Sequence, residues 1–239
     1  MIKDFDLLQR ANNDYTTIDL EHAEELAYRE LIDSIRYIPL GDECGVMGNI
    51  ANIITYKGRF YIQEEQFDRV FIYDDTGRCL KKIDNKGRGP GEYLRIESID
   101  INTEKEELML VDGMSDKLFF YDLDGNFKSI HSIRYFQTEN TLCLRDSVFL
   151  HISAPSQNFG NEGLYGYALV LSKGNENFLK GYRYLPLQVG YKGGGQIFKG
   201  YERSCYHPIY SDTIYQILSD TTYGPIFYFK IKNSSWETY

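Results

Sequence analysis

The sequence predicts an all-β protein, a β-propeller of four-stranded antiparallel blades, and two observations lead to that fold class. The segment Asp68–Asp74 recurs in pattern as Asp116–Asp122, and Gly77 recurs as Gly125, with the same offset of 48 residues. Each copy contains four short runs of apolar and aromatic residues with turn residues between them. A fixed period of this size, divided in this way, is typical of propeller blades.

Composition agrees with this fold class. Aromatic residues make up 15% of the 239 residues, with 21 Tyr and 14 Phe, and 21 Gly accompany them. Aromatic side chains favour strands and glycines favour turns. A chain of this length can also bury a sizeable core.

The repeat assigns strands A to D of each blade. In the first two blades we expect strands at 49–56, 59–64, 69–74 and 78–83, and at 96–102, 107–112, 117–122 and 126–132. Later copies are weaker: 148–152, 167–171 and 178–184 suit a third blade, and 212–217 and 226–231 a fourth. We therefore expect about four to five blades in the chain.

The N-terminal part differs from the repeat. An apolar stripe formed by Leu20, Leu26 and Leu31 predicts a short helix within residues 16–33, with Thr17 or Asp19 as its cap. The next segment, Ile35–Leu40, has the pattern of a strand. The predicted domains are an N-terminal extension, 1–34, and a propeller, 35–239.

Residues Lys86–Tyr93, called the joint here, lie between the last strand of the first blade and the first strand of the second. Three glycines around Pro90 cannot continue a strand or a helix, so the chain must turn sharply there. In a meander of four strands, this connection shares one face with the loops between strands B and C. We call that face the joint face.

The segment Gly87–Tyr93, read Gly-Arg-Gly-Pro-Gly-Glu-Tyr, resembles a signature of bacterial six-bladed β-propellers of unknown function, which are NHL-repeat-like. Ile35–Leu40 and Ser211–Ile217 support the resemblance. It implies a six-bladed ring and an extracytoplasmic location, in the periplasm or at the cell surface, but no particular activity. Six blades of this length exceed the chain, so we expect a shortened member. Either blades are missing, or the strand at 35–40 closes a smaller ring, or another chain covers an open edge and the protein oligomerises.

Charge and sequence patterns narrow the partners. The net charge is −9 and no dense basic cluster occurs, which disfavours nucleic acid and anionic membranes. The sequence contains no apolar run of ~18 residues, the pattern that would predict a transmembrane segment. The start, Met1–Asp6, lacks a signal peptide pattern, so the chain is expected to be cytoplasmic if that start is genuine. The four cysteines have no zinc spacing and suit isolated apolar positions.

The joint face carries the predicted ligand-binding residues. They are charged or aromatic side chains near the mouth of the expected central channel: Arg88, Glu92, Tyr93, Asp112 and Asp116. The alternative is that they are structural, with Arg88 in an ion pair, Glu92 capping its own turn and the repeated Asp fixing a turn.

The predicted function is a non-catalytic binding module for a small molecule, a glycan or a protein on the joint face. The alternative is a metal-dependent hydrolase or lyase, similar to lactonases, with its site in the channel. Glu64 and Asp112 occupy equivalent repeat positions and are the candidate metal ligands. No cofactor is predicted, and a divalent cation such as calcium is the one left open.

Overall fold

The computed structural model describes residues 6–7, 9–10, 14–22, 32–133, 138–145, 147–152, 166–174, 177–183, 195–199, 203–208, 211–218 and 222–230. In these residues the strands form four sheets, each built on a four-stranded antiparallel meander and arranged like propeller blades. The predicted all-β propeller class is confirmed.

The strands follow the predicted repeat closely. The N-terminal strands are β1 (Asp6–Leu7), β2 (Gln9–Arg10) and β3 (Thr16–Asp19). Blade one comprises β4 (Ile50–Tyr56), β5 (Arg59–Glu64), β6 (Arg69–Asp74) and β7 (Cys79–Ile83). Blade two comprises β8 (Ser98–Asn102), β9 (Glu107–Asp112), β10 (Lys117–Asp122) and β11 (Phe127–Ser132). Blade three comprises β12 (Asn140–Arg145), β13 (Val148–Ile152), β14 (Tyr167–Lys173) and β15 (Asn177–Arg183). Blade four comprises β16 (Gln196–Lys199), β17 (Ser204–His207), β18 (Thr213–Ile217) and β19 (Thr222–Lys230).

The turns between the third and fourth strands explain the repeated Asp-x-x-Gly. Asp74 Oδ1 accepts a hydrogen bond from Arg78 N at 3.0 Å, and Asp122 Oδ1 accepts one from Asn126 N at 2.8 Å. Gly77 has a φ of 89°, which favours glycine. The same local chemistry therefore closes the same hairpin in both blades.

Apolar side chains fill the spaces between successive blades. The largest cluster joins blades one and two and includes Tyr61, Ile72, Ile99 and Phe119, all at most 1% exposed. Similar clusters join blades two and three, and blades three and four. A sheet face that packs against a neighbouring blade is thus buried. This packing holds the innermost strands of the blades around one axis: β4, β8, β12 and β16.

The predicted N-terminal helix is wrong where the structure describes it. Residues Thr16–Asp19 form β3, which pairs in parallel with Phe227–Lys230 of β19. Asp19 caps only a short 3-10 turn, Leu20–His22, and residues 23–31 lie outside the described residues. Three of the four residues in β3 are β-branched, and the open edge of β19 supplies their hydrogen bonds, so tertiary pairing overrides the local helical pattern.

The predicted strand at Ile35–Leu40 is also wrong. This segment lies against the hairpin turn between β6 and β7 of blade one. Arg36 Nη2 donates to Asp75 O at 2.8 Å, and, just after the segment, Gly41 N donates to Gly77 O at 2.8 Å. A turn offers few regularly spaced partners, so no ladder forms. The segment does not close a smaller ring as a strand.

The prediction that all four cysteines are isolated is wrong for two of them. Cys44 forms a disulfide with Cys79 in β7, while Cys143 and Cys205 are free and buried. The disulfide fixes the segment before β4 on the outer face of blade one. There Cys44 and Met47 pack against Phe71 and Tyr73.

The N-terminal strands connect the two ends of the row of blades. β1 pairs with β15 of blade three, and β2 and β3 pair with β19 of blade four. The chain then continues to blade one through residues 32–49. The domain boundary after residue 34 stays a prediction.

Candidate binding channel and joint face

The joint is a turn held by its own groups. Gly87 N donates to Tyr93 O at 2.9 Å, and Glu92 Oε2 accepts a hydrogen bond from Gly89 N at 2.7 Å. Gly91 has a φ of 81°, a conformation that L side chains rarely adopt. Glu92 therefore caps its own turn, as the structural alternative predicted.

Tyr93 is buried between blades one and two, with 0% exposure. Its hydroxyl donates to Asp68 O at 2.8 Å and accepts a hydrogen bond from Asn85 N at 3.1 Å. Burial raises the pKa of Tyr93. The prediction that Tyr93 offers a stacking surface to a ligand is wrong, because neither its ring nor its hydroxyl is accessible.

The connection from the joint to β8 is fixed by side chains of both neighbouring blades. Leu94 N donates to Asp112 Oδ2 at 2.7 Å, and Ile96 N donates to Asp68 Oδ1 at 3.1 Å. Gln63 Nε2 donates to Ile96 O at 3.0 Å. These contacts tie the connection down as it crosses from the periphery to the channel.

Asp112 is 1% exposed and fully engaged. Besides Leu94 N, its carboxylate accepts hydrogen bonds from Met114 N and Ser115 N, both at 3.1 Å, and from Ser115 Oγ at 2.6 Å. A carboxylate that accepts this many hydrogen bonds has little capacity left for a ligand. Its position organises two loops of the joint face.

Arg88 and Asp116 differ from the other predicted residues. Arg88 is exposed, and within the described residues its side chain has neither a hydrogen bond nor an ion pair. Asp116 is partly buried at a φ of 53°, and burial, followed by the charge of Asp112, raises its pKa. These two remain accessible on the joint face.

The candidate metal ligands each have protein partners. Glu64 is 0% exposed, and its Oε2 lies 3.1 Å from Arg69 Nε and 3.2 Å from Phe67 N. Among the described residues, no group of three or more His, Cys, Asp or Glu side chains could hold a metal ion. The structure therefore does not bring Glu64 and Asp112 together in such a group.

The innermost strands of all four blades line a central channel with a volume of about 1120 Å³. β4 contributes one wall through residues 51–56, and β8, β12 and β16 contribute the others. The ends of these strands that lie at the joint face carry polar residues: Asn52, Ser98, Asn140 and Gln196. Sequence reasoning placed a channel here but did not identify its lining.

Lys199 of β16 extends to the inner strands of two other blades. Its Nζ donates to Cys143 O at 2.8 Å and to Ile101 O at 2.9 Å, and lies 3.3 Å from Asp100 Oδ2. Burial raises the pKa of Asp100, and the Lys199 charge opposes that effect. The lysine and the buried carboxylate thus neutralise each other and join blades two, three and four.

Glu97 lies at the channel wall next to β8. Its Oε2 lies 3.2 Å from Arg95 Nε, and its side chain is 17% exposed. Burial raises the pKa of Glu97, and Arg95 opposes this change. Arg95 is 56% exposed and compensates the Glu97 charge only in part, and Glu97 Oε2 is buried without a hydrogen-bond partner among the described residues.

Three of the four primary amides that line the channel differ from Gln63, which donates to Ile96 O. Within the part of the chain that the structure describes, the amides of Asn52, Asn140 and Gln196 form no hydrogen bond. Ile53 is 50% exposed and Phe198 is 44% exposed, so apolar surface lies beside these amides. The observed first strands β8, β12 and β16 each begin with a polar residue, and this is the sequence signal that could have indicated the lining.

A family model described as a domain of unknown function, DUF4934, matches residues 15–239. The chain belongs to the DUF4934 family. No curated protein matches the sequence. The part of this DUF4934 protein that the structure describes contains no helix long and apolar enough to cross a membrane.

Solved structures resemble this DUF4934 protein in fold. A Bacteroides fragilis protein described as exported is 20% identical with a TM-score of 0.77, over 91% of this chain and 61% of its own. Virginiamycin B lyase from Staphylococcus aureus, solved with quinupristin, is 10% identical with a TM-score of 0.50, over 77% of this chain and 57% of its own. The DUF4934 chain spans about 61% of the length of the Bacteroides protein. At these identities the likeness concerns the fold alone.

Proposed function

We propose that this DUF4934 protein is a non-catalytic binding module whose ligand enters from the joint face and occupies the central channel. The observation that carries the proposal is the set of uncommitted amides, Asn52, Asn140 and Gln196, facing a cavity of about 1120 Å³. A few polar groups without protein partners beside apolar side chains are typical of ligand sites. The carboxylates of Asp100 and Asp112, in contrast, accept hydrogen bonds from protein groups.

The joint face would act as the entrance rather than as the site itself. Arg88 and Asp116 are accessible there and would contact a ligand or protein partner that extends beyond the channel. Glu92 and Asp112 would shape the entrance by holding the loops. A small molecule, a glycan and a protein segment are the ligand classes this arrangement suits.

A variant that fills the channel tests the proposal. Ile53→Trp replaces a half-exposed wall residue with a larger one and should leave the buried core intact. Wild type and variant are screened by thermal shift against sugars, peptides, amines and divalent cations, with native mass spectrometry for stoichiometry. Compounds that stabilise the wild type and not Ile53→Trp support channel binding. Compounds that stabilise both equally, or none at all, contradict it.

The catalytic alternative, a metal-dependent hydrolase or lyase, is a separate outcome of the same screen. It predicts that a divalent cation such as calcium stabilises the protein, and that Glu64→Gln or Asp112→Asn abolishes that stabilisation. Turnover of a compound by the cation-loaded protein would then replace the binding proposal with the enzymatic one.

We also propose that the four blades belong to a six-bladed, NHL-like ring of extracytoplasmic location. Two observations support this: the chain spans 61% of the length of a similar protein described as exported, and it contains a disulfide, Cys44–Cys79. Disulfides persist in oxidising compartments. Mass spectrometry after thiol alkylation in cells should find Cys44 and Cys79 protected and Cys143 alkylated only after unfolding. Alkylation of all four cysteines would contradict the location.

A further inference from the structure

Four charged side chains of the channel wall, Lys57, Glu97, Asp100 and Lys199, have ion-pair partners within the protein, although Glu97 Oε2 accepts no hydrogen bond from the described residues. The partner lies in the same connection, in the next blade or, for Asp100 and Lys199, two blades away. An ionic ligand would have to displace one of these partners, which costs free energy. The pairs are Lys57 with Glu106, Asp100 with Lys199, and Glu97 with Arg95.

The groups left for a ligand are neutral and can both donate and accept. Primary amides of Asn52, Asn140 and Gln196 each offer an acceptor oxygen and two donor hydrogens. Thr55 and Thr103 also line the channel and add hydroxyls. Such groups match ligand hydroxyls, because a hydroxyl also donates one hydrogen bond and accepts others.

Apolar surface accompanies the amides. Ile53 and Phe198 line the channel and are each about half exposed, whereas Tyr56 packs partly against the core between blades one and two. A ligand with polar edges and apolar C–H faces can hydrogen-bond the amides and pack on these side chains together. Sugar rings combine these two surfaces.

An extended peptide fits the channel less well. Strand addition requires free backbone groups, and those of the innermost strands in blades two and three are taken. Cys143 N donates to Asp100 Oδ2 at 2.7 Å and Thr141 N to Ser98 Oγ at 3.3 Å, while Lys199 Nζ binds the carbonyls of Ile101 and Cys143. Side chains therefore occupy the sites that a peptide backbone would use.

From this combination we infer that the channel binds a neutral carbohydrate. The inference rests on the proposed channel function and names its ligand class. The volume of about 1120 Å³ lies above the roughly 300–1,000 Å³ of common small-molecule pockets, which favours an oligosaccharide over a single sugar unit. Asn140 and Gln196 would bind hydroxyls near the joint face, and Phe198 would pack against a ring deeper in the channel.

The experiment uses the full chain on an array of neutral hexose and N-acetylhexosamine oligosaccharides, with sialylated and sulfated sugars and a peptide array as the other classes. Hits are measured by isothermal titration calorimetry. Asn140→Ala, Gln196→Ala and Phe198→Ala should each weaken neutral oligosaccharide binding at least tenfold. Asn126→Ala, which removes an exposed amide in the turn between β10 and β11, on the face opposite the joint, is the matched control and should leave binding within twofold.

The possible failures are distinguishable. Binding of peptides or charged sugars alone, abolished by Ile53→Trp, would overturn the carbohydrate inference and leave channel binding in place. Neutral sugars that bind with equal affinity to the wild type and all channel variants would overturn both. Absence of binding across every array would overturn both as well. Unchanged melting temperatures in the three alanine variants show that a loss of affinity is not a loss of folding.

Discussion

The joint and the channel of this DUF4934 protein are adjacent polar regions with opposite roles. At the joint and its connection to β8, the carboxylates of Asp68, Glu92 and Asp112 accept hydrogen bonds from backbone amides. In the channel, the amides of Asn52 and Asn140 have no such partner in the described residues. The carboxylates in and next to a conspicuous motif therefore serve the fold, and inconspicuous neutral residues face the cavity.

Hydrogen-bond capacity explains the difference. A connection that crosses the face of two blades leaves backbone amides without sheet partners, and each buried amide needs an acceptor. Carboxylates satisfy two or more amides at once, so they are selected there. The channel strands have sheet partners on one side, and Asp100 and Ser98 accept hydrogen bonds from backbone amides on the other, so the amides of Asn52 and Asn140 are not needed for this purpose.

Loss of the Asp112 carboxylate should produce the largest loss of stability. A small loss would contradict the structural role assigned to the carboxylates at the joint. Asp112→Ala leaves Leu94 N, Met114 N and Ser115 N without their acceptor, and we expect a loss of about 3 kcal/mol in the free energy of unfolding. Urea denaturation measures it. Asp112→Asn keeps one acceptor oxygen and should lose less; a change below about 1 kcal/mol in Asp112→Ala would show that water replaces the carboxylate.

The pH dependence of folding tests His151, a buried polar group on β13, the strand that pairs with β12, where Asn140 lies. His151 is 0% exposed between Thr141 Oγ1 at 2.9 Å and Ser172 Oγ at 2.7 Å, and burial lowers its pKa to about 3. The unfolded imidazole titrates near its ordinary value of 6.5, so the unfolded state binds the proton first as the pH falls. Stability from this group is complete above pH 6.5 and should fall by about 2 kcal/mol at pH 5.

Urea denaturation at pH 7.5 and pH 5 measures this loss, and His151→Gln removes the titrating group as the control. The variant should show a smaller loss between the two pH values than the wild type. Equal losses would mean that His151 has the same protonation state in the folded and unfolded protein. Its environment would then be closer to that of the hydrated joint face than to a sheet interior.

Removal of the Tyr93 hydroxyl should have a smaller effect. Tyr93→Phe keeps the buried ring but leaves Asn85 N and Asp68 O without the hydroxyl, so a loss of about 1 kcal/mol is expected. Ligand affinity should stay unchanged, because the ring is not exposed to the channel. Weakened binding with full stability would reverse the assignment of the joint to structure.

Arg88→Ala should have the smallest effect on stability. An exposed side chain without described partners should change the free energy of unfolding by less than about 0.5 kcal/mol. Thermal denaturation measures this, and Arg88→Lys is the conservative control. A larger loss would reveal an ion pair at the joint and place Arg88 with the structural carboxylates.

The fold was predictable where local chemistry repeats. Asp74 and Asp122, each followed by Gly three residues later, mark the same hairpin, and the apolar strands before them supply the sheet interior. The functional side of the joint was not predictable in the same way. Sequence reasoning identified Tyr93 and Asp112 as ligand contacts because polar and aromatic residues in loops suit both binding and structure, and only burial separates these roles.

By itself, the sequence determined the all-β class, the blade period, the turn positions and the place of the joint, because each depends on residues close together in the chain. Tertiary structure alone decided which residues face the channel, why Thr16–Asp19 is a strand and that Cys44 meets Cys79. Those outcomes depend on partners far away in sequence, such as the open edge of β19 and the outer face of blade one. Local pattern cannot contain them, because the hydrogen bonds and contacts that stabilise them form only when the blades assemble.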